Sequence, residues 1–539
     1  MIALKPNPER AVAYYSAGQW RDQTILEAVA ARINSTPGKI AIRDASGGHA
    51  TFAELDALSS RLAGYLRANG FETGDVLTMH LPNWWQSAVF MLATYKLGGV
   101  MHVAPPTLGW KDLAYVIGRC RSKAIVCAGR FRNVDYTQNL DNIRGEQGLP
   151  RICLTIGSGA VQLGTPLERA LEADPVSAAV RSDPDMPAAI MFTSGTESRP
   201  KGVVHTHNTI LFSEREFGAR LGLTADDVCF LATPISHATG LMHGLVLNLM
   251  LGCTLSLLDI FEGHRAVELM RGDGATWTVG ATPFLHDTIN ALMVSASRLP
   301  SLKFFVCGGA PLPEAIVRMA SKASIRLLPF YGSTESPPHA LTRPDAPLEQ
   351  SWKSDGEALP GIEIRVVGQD GRHLPFGVEG EEISRGPNLF IGYLDEPEMT
   401  ARAVDADGWY HSGDLAIVHP DNTLKISGRI KDIIIRGGQN ISAREVEDVL
   451  MEHPAVREAA LVGRPHERLG ETGVAVVVTK VGQSVSLQEL TLFLTARGVS
   501  RYKLPEELLI WPELPRTPSG KIRKFLIREH LQRLDDQDD

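Results

Sequence analysis

Met191-Phe192-Thr193-Ser194-Gly195-Thr196-Glu197-Ser198-Arg199-Pro200-Lys201-Gly202-Val203-Val204-His205-Thr206-His207-Asn208 is the stretch from which the rest of the chain is read. It closes the apolar run Ala188–Phe192 and then gathers hydroxyls, glycines and a lysine. Small hydroxyl residues and glycines let backbone N–H groups turn inward around an anion, and a lysine adds a mobile positive charge. The composition is that of a phosphate cradle, although a polar turn of the same residues also fits. It is not a Walker A loop, which needs Gly, four residues, then Gly-Lys-Ser/Thr opening a helix. Here Pro200 precedes Lys201, and Gly202-Val203-Val204 follow it, so the spacing predicts strand, loop and strand.

Working outward, helix and strand signals alternate over Ile25–Val126. Thr51-Phe52-Ala53-Glu54 reads as a capping box, with Leu55, Leu58, Leu62 and Leu66 at helical spacing until Asn69-Gly70. Val76–Leu81 reads as a strand, Trp84–Leu97 as an apolar helix, Leu113–Cys120 as a helix and Ala124–Cys127 as a strand. The same rhythm returns in the strand-like runs Ala188–Phe192, Thr254–Leu258, Trp277–Val279 and Phe304–Val306. Strands separated by helices imply parallel βαβ units, hence doubly wound α/β subdomains. From about Gly361 short β segments (Ile362–Val367, Gly380–Arg385) imply a small β subdomain. Beyond Gly428-Arg429-Ile430-Lys431-Asp432 a compact α+β pattern begins, with helices at Ala443–Glu452 and Leu487–Ala496 and strands at Glu458–Val462 and Gly473–Thr479. The expected division is a large domain over residues 1–428 (β-rich at about 361–428), a hinge at 429–431 and a small mobile domain over 432–539.

Composition excludes several classes. With 539 residues, 44% apolar and 22% charged, the chain carries ample core. A formal charge of -8 gives no encouragement to nucleic-acid binding. The six cysteines are scattered and never spaced as C-x-x-C, which points to reduced core thiols rather than disulfides or zinc. The N-terminus lacks the apolar core of a signal peptide, so the expected compartment is the cytoplasm. Gly240–Leu258 holds no Asp, Glu, Lys or Arg, but Gly252-Cys253-Thr254 breaks it into a helix feeding a strand, and no membrane insertion is expected.

Five more segments carry chemistry. Cys307-Gly308-Gly309-Ala310-Pro311 permits a flat ligand to approach the backbone, or simply turns a strand into a helix. Tyr331-Gly332-Ser333-Thr334-Glu335 could stack a base and hold Mg²⁺ near phosphates. Trp409-Tyr410-His411-Ser412-Gly413-Asp414 offers a carboxylate for two ribose hydroxyls. Gly428-Arg429 through Gly437-Gly438-Gln439-Asn440 joins charges to a glycine pair, and Pro515–Lys521 is a loop presenting a lysine.

In order and spacing these segments resemble the adenylate-forming superfamily of acyl-CoA synthetases, peptide-synthetase adenylation domains and luciferases. Its loop (T/S)SGTTGxPKG is matched by TSGTESRPKG, followed by YGSTE, YHSGD, GRIKD and PSGK. PISHATGLMHG, GATPF, CGGA and YGSTESPPHA are most similar to bacterial acid–CoA ligases of short- to medium-chain and alicyclic acids.

The resemblance implies a two-step reaction in fatty acid metabolism that uses ATP, Mg²⁺ and coenzyme A. A carboxylate attacks the α-phosphate to give acyl-AMP and pyrophosphate, and a thiol then displaces AMP. It implies that Thr193, Ser194, Gly195, Thr196 and Lys201 hold the β- and γ-phosphates. Gly309, Ala310 and Pro311 would line the adenine, with Tyr331 on its face and Gly332 and Ser333 beside it. Thr334 and Glu335 would position the α-phosphate and Mg²⁺, Asp414 the ribose with Arg429, and Lys521 the attacking carboxylate and α-phosphate. Lys431 takes the hinge position, and Gly437, Gly438 and Asn440 the coenzyme A channel. His237 matches the gate of the acyl pocket, whose wall would be Ala238, Thr239, Gly240, Leu241, Met242, Gly308 and Gly332. Glu197 and Ser198 depart from the usual Thr and Gly of the loop.

Amino-acid-adenylating relatives carry Asp one residue after the gate. This chain has Ala238, and a buried ammonium without a partner would be costly, so amino acids are rejected. A medium-chain fatty acid, a cyclohexane-type acid or an aryl acid remain, as do two other outcomes: loading of a carrier protein, and a luciferase-type oxidation. A homodimer is left open.

Overall fold

Thr51 opens its helix as the sequence requires. Its hydroxyl accepts the Glu54 N–H at 3.2 Å while the Glu54 carboxylate accepts the Thr51 N–H at 2.8 Å, and the helix runs Phe52–Ala68. Leu55, Leu62 and Leu66 face inward, fully buried. The computed structural model describes residues 2–157, 159, 163–193, 200–309, 312–436, 439–466, 468–517 and 520–538. Its helices and strands form two compact units.

The first unit takes Met1–Trp352, Gly356–Glu363 and Arg385–Tyr410. It is built on two large sheets. In one, the strands Ile40–Asp44, Thr254–Leu257, Val228–Leu231, Trp277–Gly280, Phe304–Cys307 and Leu327–Tyr331 lie side by side and parallel. Antiparallel strands close both of its edges. In the other, Val76–His80, Val100–Val103, Ala124–Ala128 and Ile152–Ile156 are parallel, and Pro187–Thr193 joins them through Val100–Val103. Helices connect the parallel strands, which is the doubly wound pattern that the alternating signals imply. The apolar run after Trp84 forms the helix Gln86–Lys96, with every residue from Ser87 onward buried. It starts later than the periodicity predicts because both tryptophans are held outside it. Trp84 Nε1 donates to Asp259 at 3.2 Å, and the Trp85 N–H to Asp44 at 3.1 Å.

The second unit takes Lys353–Asp355, Ile364–Ser384 and His411–Asp539. A four-stranded sheet includes Tyr410–Val418 antiparallel to Leu424–Arg429. A five-stranded sheet carries the long hairpin Val456–His466 and Gly470–Thr479, with Glu507–Ile510 added parallel to its second strand. The helices Ala443–Leu450 and Leu487–Ala496 pack on this sheet through Val446, Leu450, Leu490 and Leu494.

Gly240–Leu258 is a buried helix feeding a buried strand, and no helix of the described residues is long and apolar enough to cross a membrane. The helix holds a surprise: Thr239–Val246 is a π-helix, running on into the α-helix Leu247–Leu251. Over eight residues, hydrophobic periodicity cannot separate the two helical pitches. Packing selects the wider one. The Asn248 amide donates to the carbonyls of His243 (3.2 Å) and Gly244 (2.6 Å), and a Cβ on Gly240 would lie 2.0 Å from the Pro234 carbonyl oxygen. All six cysteines are free thiols, and burial pushes Cys127 and Cys307 up to about 12, as core thiols require.

Several histidines of the first unit are buried neutral. Burial pushes His80 down to about 4, and burial aided by His80 pushes His102 down to about 3; burial alone pushes His207 down to about 3. Each folded value lies below the ordinary 6.5, so between the two the unfolded chain binds more protons and stability rises with pH. The contribution is complete above about pH 6.5 and is lost as pH falls toward 3. The urea midpoint of the wild-type chain is expected to drop steeply from pH 6.5 to 4. His102→Gln should remove close to one proton from that slope, worth about 3 kcal/mol by pH 4. An unchanged slope in the variant would show that His102 is not buried neutral.

Candidate active site

Phosphate-site candidates sit on a hairpin of the first unit. Pro187–Thr193 pairs antiparallel with Lys201–Thr206, Thr193 facing Lys201 in register. A strand stands on each side, as the spacing predicts, with Val203 and Val204 fully buried in the second. Ser194, Gly195 and Thr196, with the departures Glu197 and Ser198, lie outside the described residues.

Lys201 comes together with Glu335 through a residue that sequence reasoning missed. Lys201–Thr206 also pairs with the short strand Gly392–Tyr393, Val203 opposite Tyr393. This sets the Lys201 ammonium 5.2 Å from the centre of the Tyr393 ring, a cation–π contact. The Tyr393 hydroxyl donates to Glu335 Oε1 at 2.9 Å. Burial, with the Glu335 carboxylate beside it, pushes the phenol well above its ordinary value, so Tyr393 stays a donor. Glu335 is 9% exposed, and its carbonyl accepts the Phe390 N–H at 2.8 Å. His205, also missed, holds the neighbouring backbone: its Nε2 lies 2.8 Å from the Thr334 carbonyl. A carbonyl only accepts, so Nε2 carries the proton. Burial holds the ring neutral, pushed down to about 4, which leaves Nδ1 to accept from Thr209 Oγ1 at 3.0 Å. The signal for both residues was absent locally, since Tyr393 lies 58 residues from Glu335 and His205 lies 129 from Thr334.

Tyr331–Glu335 is a tight turn. The Ser333 N–H donates to the Ser336 carbonyl, and the Ser336 N–H to Ser333 Oγ, both at 3.0 Å. Gly332 is required there, because a Cβ would come within 2.9 Å of Pro338 Cα. The Tyr331 ring meets the His339 ring edge-on at 4.8 Å. Gly308 follows the strand Phe304–Cys307 where a Cβ would meet the Phe330 ring at 2.6 Å, and Gly309 comes next at φ +83°. Ala310 and Pro311 lie outside the described residues.

The gate candidate His237 closes a turn, its N–H donating to the Pro234 carbonyl at 2.9 Å and its Nδ1 accepting the Thr239 N–H at 3.3 Å. Asn83 fixes the approach, donating to the Thr233 and Leu258 carbonyls at 3.0 and 3.2 Å and accepting the Ile235 N–H at 2.9 Å. Ala238, Gly240, Leu241 and Met242 are buried, and Thr239 is half-buried.

In the second unit Asp414 and Arg429 are partners. They face each other in register, with Arg429 Nε 2.9 Å from Asp414 Oδ1, and the Asp414 N–H donates to Ser412 Oγ. Lys431 sits in the short 3-10 turn Ile430–Asp432. Arg528 of the final helix donates to the Lys431 carbonyl and to Asp432. Burial would raise Asp432, but the Lys524 and Arg528 cations outweigh it and hold the carboxyl below its ordinary range. Gly437 and Gly438 lie outside the described residues, while Asn440 pairs with Ile435 in the strand Gln439–Ser442. Lys521 ends a tight loop: its carbonyl accepts the Thr517 N–H at 2.8 Å, and its N–H donates to Thr517 Oγ1 at 3.1 Å.

Comparison with known proteins gives the family of the whole chain. The profile of the AMP-binding enzyme family matches residues 29–394, and that of the AMP-binding enzyme C-terminal domain matches residues 445–521. The chain is 41% identical to the medium-chain fatty-acid–CoA ligase of Escherichia coli K12, covering 100% of this chain and 95% of that protein. It is 32% identical to a Streptomyces salicylyl-CoA synthase / salicylate adenylyltransferase, over 97% and 96% of the two chains. Among solved structures, ATP-bound MatB from Rhodopseudomonas palustris superposes with a TM-score of 0.85 at 28% identity, covering 94% of this chain and 99% of that one. With both profiles matched along its length, the chain belongs to the AMP-binding enzyme family, as an acyl-CoA synthetase of the adenylate-forming superfamily.

Proposed function

We propose that the protein is an ATP-dependent acid–CoA ligase whose preferred acid is a medium-chain fatty acid or an alicyclic acid of similar size. The observation that supports it best is the Lys201–Tyr393–Glu335 cluster, which joins a phosphate-loop cation to a buried carboxylate through one ring. In the first step a carboxylate oxygen attacks the α-phosphorus of ATP, the bond to the β-phosphate oxygen breaks, and pyrophosphate leaves. Two anions meet in that step, so fixed positive charge should supply most of the catalysis. Lys201 and Thr193 serve the β- and γ-phosphates, Thr334 the α-phosphate, Asp414 with Arg429 the ribose, and Lys521 the attacking carboxylate. Gly309 and Tyr331 flank the adenine. In the second step the coenzyme A sulfur attacks the acyl carbon, its proton is lost to water, and AMP leaves.

Glu335 suits Mg²⁺. Its hard carboxylate oxygens are oriented by one donor, and no cluster of three or more His, Cys, Asp or Glu able to cage a metal occurs among the described residues. Mg²⁺ is commonly held by one or two carboxylates together with substrate phosphates and water, where it offsets phosphate charge. Lys431 is the hinge in this reading, dividing a domain over 1–428 from one over 432–539. Gly437, Gly438 and Asn440 serve the thiol step, and the free, mostly buried thiols support a cytoplasmic location.

The acyl wall of Ala238, Gly240, Leu241 and Met242 is apolar and lacks an ammonium partner, which favours an uncharged tail. The likeness to a salicylyl-CoA synthase makes an aryl acid the second reading. Pyrophosphate release and thioester formation, measured from butyrate to myristate and with cyclohexanecarboxylate, benzoate and salicylate, decide between them. The expected result is a maximum at medium chain length that requires coenzyme A for thioester. A maximum at salicylate selects the aryl reading. Pyrophosphate release without coenzyme A consumption overturns the acceptor, and a carrier protein takes its place.

A further inference from the structure

The helix that carries the proposed acyl wall also holds one half of a buried acid–base pair that the adenylation chemistry does not use. Glu214 is fully buried, His243 is 2% exposed, and His243 Nδ1 lies 2.9 and 3.0 Å from the two Glu214 oxygens. The pair is enclosed by aromatic rings. Phe217 stacks on the imidazole at 4.6 Å and 19°, and Phe330 meets it edge-on at 5.9 Å and 87°. Such a pair is a weak source of stability, because an apolar side chain of similar volume would often serve the core as well or better. Its use lies in fixing position.

Two structural links run from His243 to the acyl wall. The first is the backbone, since His243 belongs to the π-helix Thr239–Val246 that begins two residues after His237 and contains Gly240, Leu241 and Met242. A π-helical turn carries one more residue than an α-helical turn, so its register decides which side chains face a given direction. The second link is Phe330, whose ring also lies against Gly308. Glu214 itself lies on the helix His207–Leu221, which continues directly from the strand Lys201–Thr206.

We propose that Glu214 and His243 are positioning residues for acyl-chain selection. The pair ties the π-helix Thr239–Val246, whose pitch Asn248 and Gly240 select, to the helix His207–Leu221 and seats the Phe330 ring over Gly308, and so sets the depth of the acyl site. The proposal rests on the ligase reading. Loss of the carboxylate frees the imidazole from its place, and the helix and ring then settle in a different packing.

The test compares Glu214→Gln, Glu214→Leu and His243→Asn with the wild type over the same acid panel, with circular dichroism as the check on folding. Glu214→Gln keeps an acceptor for His243 Nδ1–H and is expected to retain the wild-type chain-length profile within about threefold. Glu214→Leu and His243→Asn are expected to raise KM for the best acid by roughly 30-fold and to move the preferred length by about two carbons. Their KM for ATP should stay within about twofold, a split that general damage to the fold would not give. Should Glu214→Leu not fold, His243→Asn against Glu214→Gln carries the same comparison. The proposal is overturned if the folded variants keep the wild-type preference, or if they lose all acids and ATP alike. A wild-type enzyme that releases no pyrophosphate with any acid overturns the ligase reading itself, and this proposal with it.

Discussion

Lys521→Ala is expected to slow pyrophosphate release by on the order of 10³-fold while leaving thioester formation from preformed acyl-AMP within about threefold of wild type. Both loop-closing bonds, Thr517 N–H to the Lys521 carbonyl and Lys521 N–H to Thr517 Oγ1, use backbone atoms of residue 521, so alanine keeps them. Gly520, at φ +88°, carries the turn and is untouched. The loss therefore reports on the ammonium, whose proposed work is to neutralise the carboxylate and α-phosphate as they meet. Thiol attack on the finished adenylate brings no second anion to that phosphate, so it should not need this charge. Quenched-flow measurement of the two half-reactions separates the cases. Equal losses in both would remove Lys521 from adenylation.

Glu335→Gln is expected to lower adenylation by roughly 100-fold, and Tyr393→Phe by roughly 10-fold with a higher Mg²⁺ requirement. Glutamine retains the volume and an acceptor for the Tyr393 hydroxyl but removes the charge that a divalent cation needs. Phenylalanine keeps the ring beneath Lys201 and removes only the donor to Glu335, which separates the hydrogen bond from the cation–π contact. A hydrogen bond to a charged group is worth about 1.5–3 kcal/mol, whose lower end is roughly a tenfold change. Titration of activity against Mg²⁺ is the measurement. Should both variants show the wild-type Mg²⁺ dependence, Glu335 is not the metal carboxylate.

Much of the architecture follows from rules that act within a few residues. Capping boxes at Thr51 and Ser486 place helix starts, because the bonds that satisfy a helix N-terminus come from side chains three residues apart. Pro200 and the valines after Lys201 exclude a helix there, and the apolar runs around Val76, Ala124 and Phe304 become parallel strands. The order of the motifs in the chain was likewise enough to name the superfamily.

Other features were settled only when distant segments met. Nothing near Tyr393 in the chain marks it as the donor to Glu335, since the contact depends on which edge of Lys201–Thr206 remains open for a third strand. The proton on His205 is fixed by a carbonyl 129 residues away. The π-helix carries the apolar pattern of an ordinary helix, and its pitch is chosen by Asn248 and by the room that Gly240 leaves at Pro234. Glu214 and His243 read as unrelated polar residues 29 positions apart until burial removes water from both and leaves each as the other's partner. Local sequence thus determined where most helices and strands lie, because those choices are made by neighbouring backbone and side-chain groups, while the start of Gln86–Lys96 was moved by Asp44 and Asp259. The tertiary structure alone decided which buried polar groups face one another, because desolvation acts on whatever the fold brings into contact.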